Sequence, residues 1–575
     1  MKTLKNTIVC LCAALAVSSC DFLDKEPYEL SPENYFNSET EASSFLTSVY
    51  APLASQSFYG NYYADLNGGD DLSHYGGGRN PATNGTIACN NANSSSPYFS
   101  YLWIDLYSGI DRACMFLENV DSTPDISETT LAQYKAEARF LRAFYYFTLV
   151  QGWGDVPFRT TATNSVNGLE IARTDKETIY DFIVTEMSEA AENGLLSASD
   201  LSYQPGRISK STAWGILARV CLFRAGEHYR DNETVDDATL KSYFQQADTY
   251  AQKVLSEGHS LAANYWDPFI DMAADQYNTT ANESIWEIEF AGNYTDEIRS
   301  EGRIGNIIGI KCPDISSYSA FTGANDPGYG YAFYWSTPKL YDLYKENGDE
   351  ERFYWNLAPF EYTATSASST GVNGRQFEYE TLEVLRNNYW WDQSYTYGSN
   401  DKERTSNTLR KSRACGKYRR EYESQSLKKN KNYTALNFPV LRYSDVLLMI
   451  AEAENEVNDG PTTLAYECIN QVRERAGISD LATGLSEDDF RQAVKDERAM
   501  ELCFEYTRRY DLIRWGEYVE DMNALATVAL AGGDWNGGDQ YSVWTYFQIT
   551  DAYNYFPIPD TEISVNSQIT QNPGW

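Results

Sequence analysis

The strongest constraint on the fold is a set of helical segments that no single pair of helices can shelter. From Tyr134 the apolar positions Tyr134, Ala138, Leu141 and Tyr145 recur at helical spacing, and Phe140, Phe144 and Phe147 line an adjacent stripe. A helix apolar on two stripes has to be covered on both. A second helix starts near Ser211 with Ala213, Trp214, Leu217, Ala218, Val220 and Leu222. After a polar loop its partner carries Phe244, Ala247, Tyr250, Ala251 and Leu255, which makes a helical hairpin. Near the C-terminal end Val446, Ile450, Ala453 and Val457 form one face, Asp459-Gly460-Pro461 breaks the helix, and Leu464, Cys468, Ile469 and Val472 begin the next. At least two such hairpins are therefore expected, and each needs neighbours because one hairpin cannot bury its own apolar face. Between the helical blocks run long passages rich in Gly, Asn, Ser and Tyr, chiefly 59–100, 312–335 and 362–400. They exceed what a compact helical domain needs as connections, which marks them as functional loops.

The first nineteen residues read as an address. Lys2 and Lys5 give a basic start, an apolar run extends from Ile8 to Val17, and Ser18 and Ser19 precede Cys20. Ten apolar residues are too few to span a bilayer. The Val-Ser-Ser-Cys ending resembles the lipobox of bacterial lipoproteins, so Cys20 is the expected site of acylation, palmitate included. Each buried acyl CH₂ adds about 0.8 kcal/mol, so more than one chain on Cys20 would hold the protein to a membrane with no spanning helix. The chain carries 82 acidic against 46 basic residues, a net charge of −36, and such a field repels a phosphate backbone. Nucleic acid is excluded as a partner on that ground. Beyond the leader and Cys20, seven cysteines remain: Cys89, Cys114, Cys221, Cys312, Cys415, Cys468 and Cys503. The number is odd, and several lie in helical patterns beside apolar residues, so buried thiols are expected.

Several segments, in order, resemble the RagB/SusD family of outer-membrane nutrient-binding lipoproteins. They are Cys20-Asp-Phe-Leu-Asp-Lys-Glu-Pro, Lys135-Ala-Glu-Ala-Arg-Phe-Leu-Arg-Ala-Phe-Tyr-Tyr-Phe, Gly152-Trp-Gly-Asp-Val-Pro and Gly206-Arg-Ile-Ser-Lys-Ser-Thr-Ala-Trp. The C-terminal half adds Leu441-Arg-Tyr-Ser-Asp-Val-Leu-Leu-Met-Ile-Ala-Glu-Ala, Asn470-Gln-Val-Arg-Glu-Arg-Ala-Gly, Glu497-Arg-Ala-Met-Glu-Leu and Asp511-Leu-Ile-Arg-Trp-Gly. Phe556-Pro-Ile-Pro-Asp-Thr-Glu-Ile and Gln571-Asn-Pro-Gly-Trp complete the set. The spacing in Trp214-Gly-x-Leu-Ala is also similar to that of tetratricopeptide units. The resemblance implies a mainly α fold: tetratricopeptide-like helical hairpins on one side and a long irregular, loop-built ligand face on the other. It implies a signal peptide over 1–19, a SusD-like N-terminal region over 20–230, a hairpin partner and connector over 231–284, and a RagB/SusD C-terminal region over 285–575, with 20–575 one compact unit. It also implies a place on the cell outer membrane, surface-exposed and lipid-anchored, and a TonB-dependent, SusC-like barrel as partner, over which the protein sits as a lid. Neither cofactor nor catalysis is implied. The sequence departs from the family pattern at Arg509, where relatives commonly carry Trp.

The charges inside these motifs read as structure. Glu137, Arg139 and Arg142 lie on a strongly apolar helix, and Glu497, Arg498, Glu501, Arg508 and Arg514 are expected to form mutually satisfied buried pairs. Enzymatic chemistry finds little support. Of the three histidines, His74, His228 and His259, none stands in a His-x-x-x-His pair, and there is neither a Gly-x-Ser-x-Gly elbow nor a Gly-Lys-Ser/Thr phosphate loop. Asp70-Asp71 and Asp534 with Asp539 lack the spacing of a calcium loop and read as solvated loop acids. From Lys402 to Lys431 eleven Lys and Arg outnumber Glu403, Glu421 and Glu423, a local reversal read as a solvated strand or hairpin, with acidic-glycan recognition as the sharper alternative.

The positive signal is aromatic. The chain has 45 Tyr and 13 Trp, and many fall in the loop passages: Tyr59, Tyr62, Tyr63, Tyr75, then Tyr329, Tyr331, Tyr334, Trp335, then Trp390, Trp391, Tyr395 and Tyr397. A Trp or Tyr ring offers a rigid flat surface to the C–H face of a sugar, and neighbouring Asp, Asn or Arg take its hydroxyls. Tyr75, Tyr329, Tyr331, Trp335, Trp390 and Trp391 are the expected ligand-binding rings, with Arg79 their polar partner. The ligand expected is an oligosaccharide, bound unchanged. A peptide-capturing protein of the same architecture and a lipid-anchored glycoside hydrolase are the alternatives.

Overall fold

The computed structural model describes residues 36–75, 88, 90–165, 168–230, 236–290, 302–312, 328–358, 363–364, 372–373, 413–423, 432–531 and 547–575. Cys20, Arg79, Cys89, Trp390, Trp391, Tyr395, Tyr397, Asp534 and Asp539 lie outside them. The architecture is mainly helical, as expected. Its principal helices are α1 (Glu39–Tyr50), α2 (Pro97–Asn119), α3 (Glu128–Trp153), α4 (Lys176–Asn193), α5 (Lys210–Arg230), α6 (Asp237–Leu255), α7 (Tyr443–Val457), α8 (Thr463–Arg475), α9 (Glu487–Leu502) and α10 (Arg508–Arg514). Local chemistry sets where several of them begin. Ser127 Oγ accepts the Thr130 N–H at 3.0 Å, an Asp236 carboxylate oxygen accepts the Thr239 N–H at 2.9 Å, and the Ser486 hydroxyl accepts that of Asp489 at 3.1 Å. Each cap satisfies a backbone donor that the first turn leaves open.

The helices form a stack in which each packs on the next: α2 on α3, α3 on α4, α4 on α5, α5 on α6, α6 on α7, and α7 on both α8 and α9. Both hairpins expected from the sequence are present within it. Helix α3 is buried continuously from Phe140 to Trp153, as its two apolar stripes require. Close approach at two crossings depends on glycine. A Cβ on Gly109 of α2 would stand 2.4 Å from the Tyr145 ring of α3, and one on Gly226 of α5 would stand 2.2 Å from the Arg514 carbonyl oxygen.

The partners α6 and α7 are adjacent in space but separated in sequence by residues 256–442. That excursion leaves and re-enters the stack through an antiparallel ladder of β2 (Ser284–Ile288) and β6 (Phe438–Arg442), with Phe438 opposite Ile288 and Leu441 opposite Trp286. The ladder is anchored from below: the fully buried Trp286 meets Phe140 and Phe144 of α3 edge-on, at ring-centroid distances of 5.6 and 4.8 Å. Within the excursion, β3 (Tyr334–Ser336), β4 (Leu357–Ala358) and β5 (Ala414–Cys415) join β1 (Ser73–Tyr75) in a small antiparallel sheet of order β1-β3-β5-β4. The register sets Ser73 opposite Ser336, His74 opposite Trp335, Tyr75 opposite Tyr334, and Trp335 opposite Ala414.

The motif charges hold this excursion to the stack. Arg442 donates to Glu283 at 2.8 Å, Glu501 at 2.9 Å and Glu505 at 2.7 Å, while Arg475 reaches Glu283 at 2.8 Å and Glu501 at 2.6 Å. Arg352 reaches Asp349, Glu497 and Glu501, Lys417 reaches Glu505, and Arg473 reaches Glu497. Five cations thus face five carboxylates with no net charge, the condition under which a buried ionic network is tolerable. A second balanced set joins α5, α7, α9 and α10: Arg219 and Arg498 hold Asp445 at 2.6 and 2.7 Å, Arg498 holds Asp511 at 2.9 Å, and Arg514 bridges Asp511 and Glu452. Glu137 pairs with Arg207, and Glu186 takes both Arg139 and Arg142. The expectation of mutually satisfied pairs therefore holds.

Two other expectations are corrected. Within the basic run, Arg413, Lys417, Arg419 and Arg420 are buried, none more than 3% exposed, because they bind carboxylates, carbonyls and ring faces of the excursion and, at Glu505, of the helices beside it. That part of the run is not solvated. Asp70 and Asp71 are buried as well: Asp71 forms a two-point pair with Arg508 at 2.8 and 2.7 Å and a bond to Lys339 at 2.6 Å. Six of the expected thiols, Cys114, Cys221, Cys312, Cys415, Cys468 and Cys503, are buried and unbridged. Arg509 fits its site by donating to the Tyr518 hydroxyl at 2.9 Å and the Tyr553 carbonyl at 2.7 Å, with its guanidinium over the Tyr518 and Phe556 rings. Among the described residues no helix is long and apolar enough to cross a membrane.

Candidate ligand-binding face

The segment leading into β3 alternates strictly in burial. Gly328, Gly330, Ala332, Tyr334 and Ser336 are buried, whereas Tyr329, Tyr331, Phe333 and Trp335 are half-buried between them. The alternation packs one side of the segment and presents the other, although the backbone turns through a left-handed residue at Ala332 before β3 begins. The backbone is held in place from both sides: the Tyr331 and Phe333 N–H groups donate to the Asn306 and Ile307 carbonyls at 2.7 Å each, and Arg420 donates to the Tyr329 carbonyl at 2.7 Å. On the presented side the rings form a continuous row. Tyr329 and Tyr331 lie 4.7 Å apart between centroids and Tyr331 and Phe333 4.8 Å, with the buried Tyr75 behind Phe333 at 5.5 Å. Trp335 continues the face, its indole N–H donating to the Ala332 carbonyl at 3.0 Å and its ring meeting His74 edge-on at 6.2 Å.

The structure brings four of the expected rings into one place. Tyr329, Tyr331 and Trp335 are on the presented side, while Tyr75, at 4% exposure, sits behind Phe333 and Tyr334 as a support. Tyr75 is buried because β1 pairs with β3 and turns its ring into the core. Tyr59 and Tyr334 are likewise core residues, at 3% and 0% exposure. Phe333 was not among the residues expected, although its place two positions after Tyr331 and two before Trp335 is the period of a strand. Tyr62 pairs with a residue of α2, Tyr98. It lies 4.4 Å from Tyr62 in an edge-to-face pair at the start of α2, one turn before the half-exposed Tyr101, and reads in sequence only as the first turn of a helix.

Carboxyls lie behind the rings. Tyr334 donates its hydroxyl to Asp65 at 2.5 Å, and burial pushes the Asp65 carboxyl up to about 6. Asp70 accepts the N–H groups of Leu72 at 2.9 Å and Ser73 at 2.7 Å, which aims the chain into β1; burial and the adjacent Asp71 push its carboxyl up to about 7. The Arg508 guanidinium and Lys339 hold Asp71 well below the usual carboxylate range despite its burial. Among the described residues no group of three or more His, Cys, Asp or Glu stands where a metal ion would be held. The geometry suits an uncharged ligand with flat apolar faces, set against rings and hydrogen-bonded at its edges.

A helical-repeat scaffold that carries a ring-lined face on a long excursion between two of its helices is a binding-protein architecture. Residues 282–575 match the model described as the SusD family, and residues 21–222 match the one described as "Starch-binding associating with outer membrane". The chain belongs to the SusD family. SusD-like protein P25 of Formosa agariphila is 28% identical, over 99% of this chain and 98% of its own. The starch-binding protein SusD of Bacteroides thetaiotaomicron is 23% identical, over 84% and 79%. The crystal structure of a SusD homolog from Bacteroides thetaiotaomicron superposes with a TM-score of 0.79 at 29% identity, covering 95% of this chain and 99% of that one.

Proposed function

We propose that this protein is a surface lipoprotein, anchored through Cys20 in the outer membrane, that binds oligosaccharides without reacting with them and passes them to a TonB-dependent, SusC-like barrel. One observation carries the binding part: Tyr329, Tyr331, Phe333 and Trp335 are half-buried at alternate positions, the first three in ring contact in sequence order and Trp335 set against His74. Rings fixed before the ligand arrives lose little entropy on binding, and each can take a sugar face. Tyr75 supports this face, and Arg79, Trp390 and Trp391, which lie outside the described residues, are proposed as ligand-binding residues on their chemistry alone. Family membership and the starch-binding relative support glycan as the ligand class. The leader and Cys20 support the anchor, and modest affinity fits a ligand that must be released to a transporter. A calorimetric screen of neutral oligosaccharides against the protein from residue 21 onward tests the reading. Saturable binding that Trp335→Ala weakens supports it. Binding confined to peptides, or new reducing ends after long incubation with a bound glycan, overturns it. Cys20→Ala should release the protein from the membrane fraction; a variant that stays there would refute the anchor.

A further inference from the structure

A second pocket lies at the root of the excursion, away from the ring row and sharing no residue with it. It is a small cleft, partly open to solvent, beside β2, between the short helix Asp267–Ala274 and the turn at Tyr203–Pro205. Its walls combine the Tyr203 and Tyr277 rings with Asp271, Glu287 and Asn282. The polar atoms it offers are acceptors. Glu287, at 3% exposure, accepts from the Ser284 hydroxyl and from the Asn437 amide at 2.9 Å and keeps lone pairs to spare. Asn282, at 6% exposure, donates its amide N–H to the Gly258 carbonyl at 3.2 Å, while its Oδ1 is buried with no partner. Just outside, Tyr277 donates to Glu289.

The pocket lacks a counter-cation. Most buried carboxylates described above are met by Arg or Lys: Asp71 by Arg508, Asp445 by Arg219 and Arg498, Glu452 by Arg514, Glu501 by Arg442. Asp70 is satisfied instead by the Leu72 and Ser73 N–H groups, whereas in the pocket an amide oxygen is left without a partner beside the acids. Glu283, which also lines the pocket, is taken by Arg442 and Arg475 on its far side. Among the described residues no Lys, Arg or His pairs with Asp271 or Glu287. Burial and the neighbouring Glu289 and Asp271 push the Glu287 carboxyl up to about 7, and burial with Asp267 pushes Asp271 up to about 6, as uncompensated negative charge requires. A lining of carboxyl and amide oxygens together with two tyrosines suits an organic cation. An ammonium or guanidinium supplies N–H donors to carboxylates and an orphaned amide oxygen, and its positive charge favours the face of a Tyr ring. A bare divalent ion would use the oxygens but not the rings.

We infer that the pocket at Asp271, Asn282 and Glu287 binds a small organic cation, a protonated amine or guanidinium, independently of the glycan reading. Two sources share this chemistry, an amino sugar and a basic side chain, so titration calorimetry on the protein from residue 21 onward should use glucosamine hydrochloride and agmatine as probes, with glucose and calcium chloride alongside. Saturable binding of at least one cation is expected, with glucose silent; which probe binds identifies the source. Asp271→Asn and Glu287→Gln should each weaken it roughly tenfold or more, the change that follows loss of a charge-assisted hydrogen bond. Both substitutions neutralise acids that burial already disfavours as anions, so both variants should unfold at or above the wild-type temperature, and a binding loss cannot be ascribed to misfolding. The inference is overturned if neither cation saturates, if both variants bind as the wild type does, or if calcium binds and displaces the organic cations.

Discussion

At the scale of single residues, burial and pairing push acids in opposite directions, and the two groups fix how stability depends on pH. Asp70 and Glu287 are raised to about 7, the first by burial and Asp71, the second by burial with the nearby Glu289 and Asp271, against its hydrogen bonds. Asp445 and Glu452 are lowered to about 2, their burial outweighed by Arg498 and Arg219 in the first case and by Arg514 in the second. Between about pH 4 and 7 the folded state holds protons on Asp70 and Glu287 that the unfolded chain has lost, so stability falls as pH rises through that window. Between about pH 4 and 2 the unfolded chain takes protons that folded Asp445 and Glu452 refuse, so stability also falls as pH drops. Thermal unfolding followed by circular dichroism should therefore peak near pH 4 to 5. Asp70→Asn, whose amide oxygen can still accept the Leu72 and Ser73 N–H groups, should flatten the decline toward pH 8. A steady rise in unfolding temperature from pH 5 to 8 would contradict this account.

At the scale of elements, the balanced network around Glu501 decides whether the excursion 256–442 stays seated on the helices. Glu501 receives Arg352 at 3.0 Å, Arg442 at 2.9 Å and Arg475 at 2.6 Å, so Glu501→Ala leaves three buried guanidiniums short of a carboxylate. A loss of about 3–5 kcal/mol is expected in urea unfolding, against less than about 1 kcal/mol for removing an exposed partner such as Asp459, which faces Lys241. The same elements show what a sequence discloses. Helices α5 with α6 and α7 with α8 were legible because several apolar residues repeat at helical period in each, with a breaker between partners. The pairing of α6 with α7 was not, since periodicity says nothing of contacts across the intervening residues. The buried state of Arg413 to Arg420 was equally hidden: a run of like charge reads as solvated until the carboxylates that meet it, such as Glu505 from another segment, are brought alongside. The small sheet escaped notice because β4 and β5 are two residues long, too short for any alternation. Only the stretch from Gly328 to Ser336 is long enough to show the period of two, and there the sequence already placed three of the four presented rings.

At the scale of the whole molecule, charge and rings act over different distances, and salt separates them. The chain carries a net charge of −36, whereas the groups of the proposed binding face are neutral aromatics, and the cations described in the nearby basic run are turned inward. A neutral oligosaccharide feels the rings but not the field, so its affinity should change less than about twofold when ionic strength is raised from roughly 0.05 to 0.5 M, across which the screening length falls severalfold. Trp335→Ala and Tyr331→Ala should each weaken that affinity up to about tenfold, in keeping with the roughly 0.5–1.5 kcal/mol that a ring contact contributes, with the unfolding temperature changed less than by a fully buried ring because both are partly exposed. A polyanionic glycan of the same length must approach through the repulsive field, so its association rate should rise as salt is added. If its binding weakened with salt instead, the ligand would be held by outward-facing cations, and the ring row would not be the principal site.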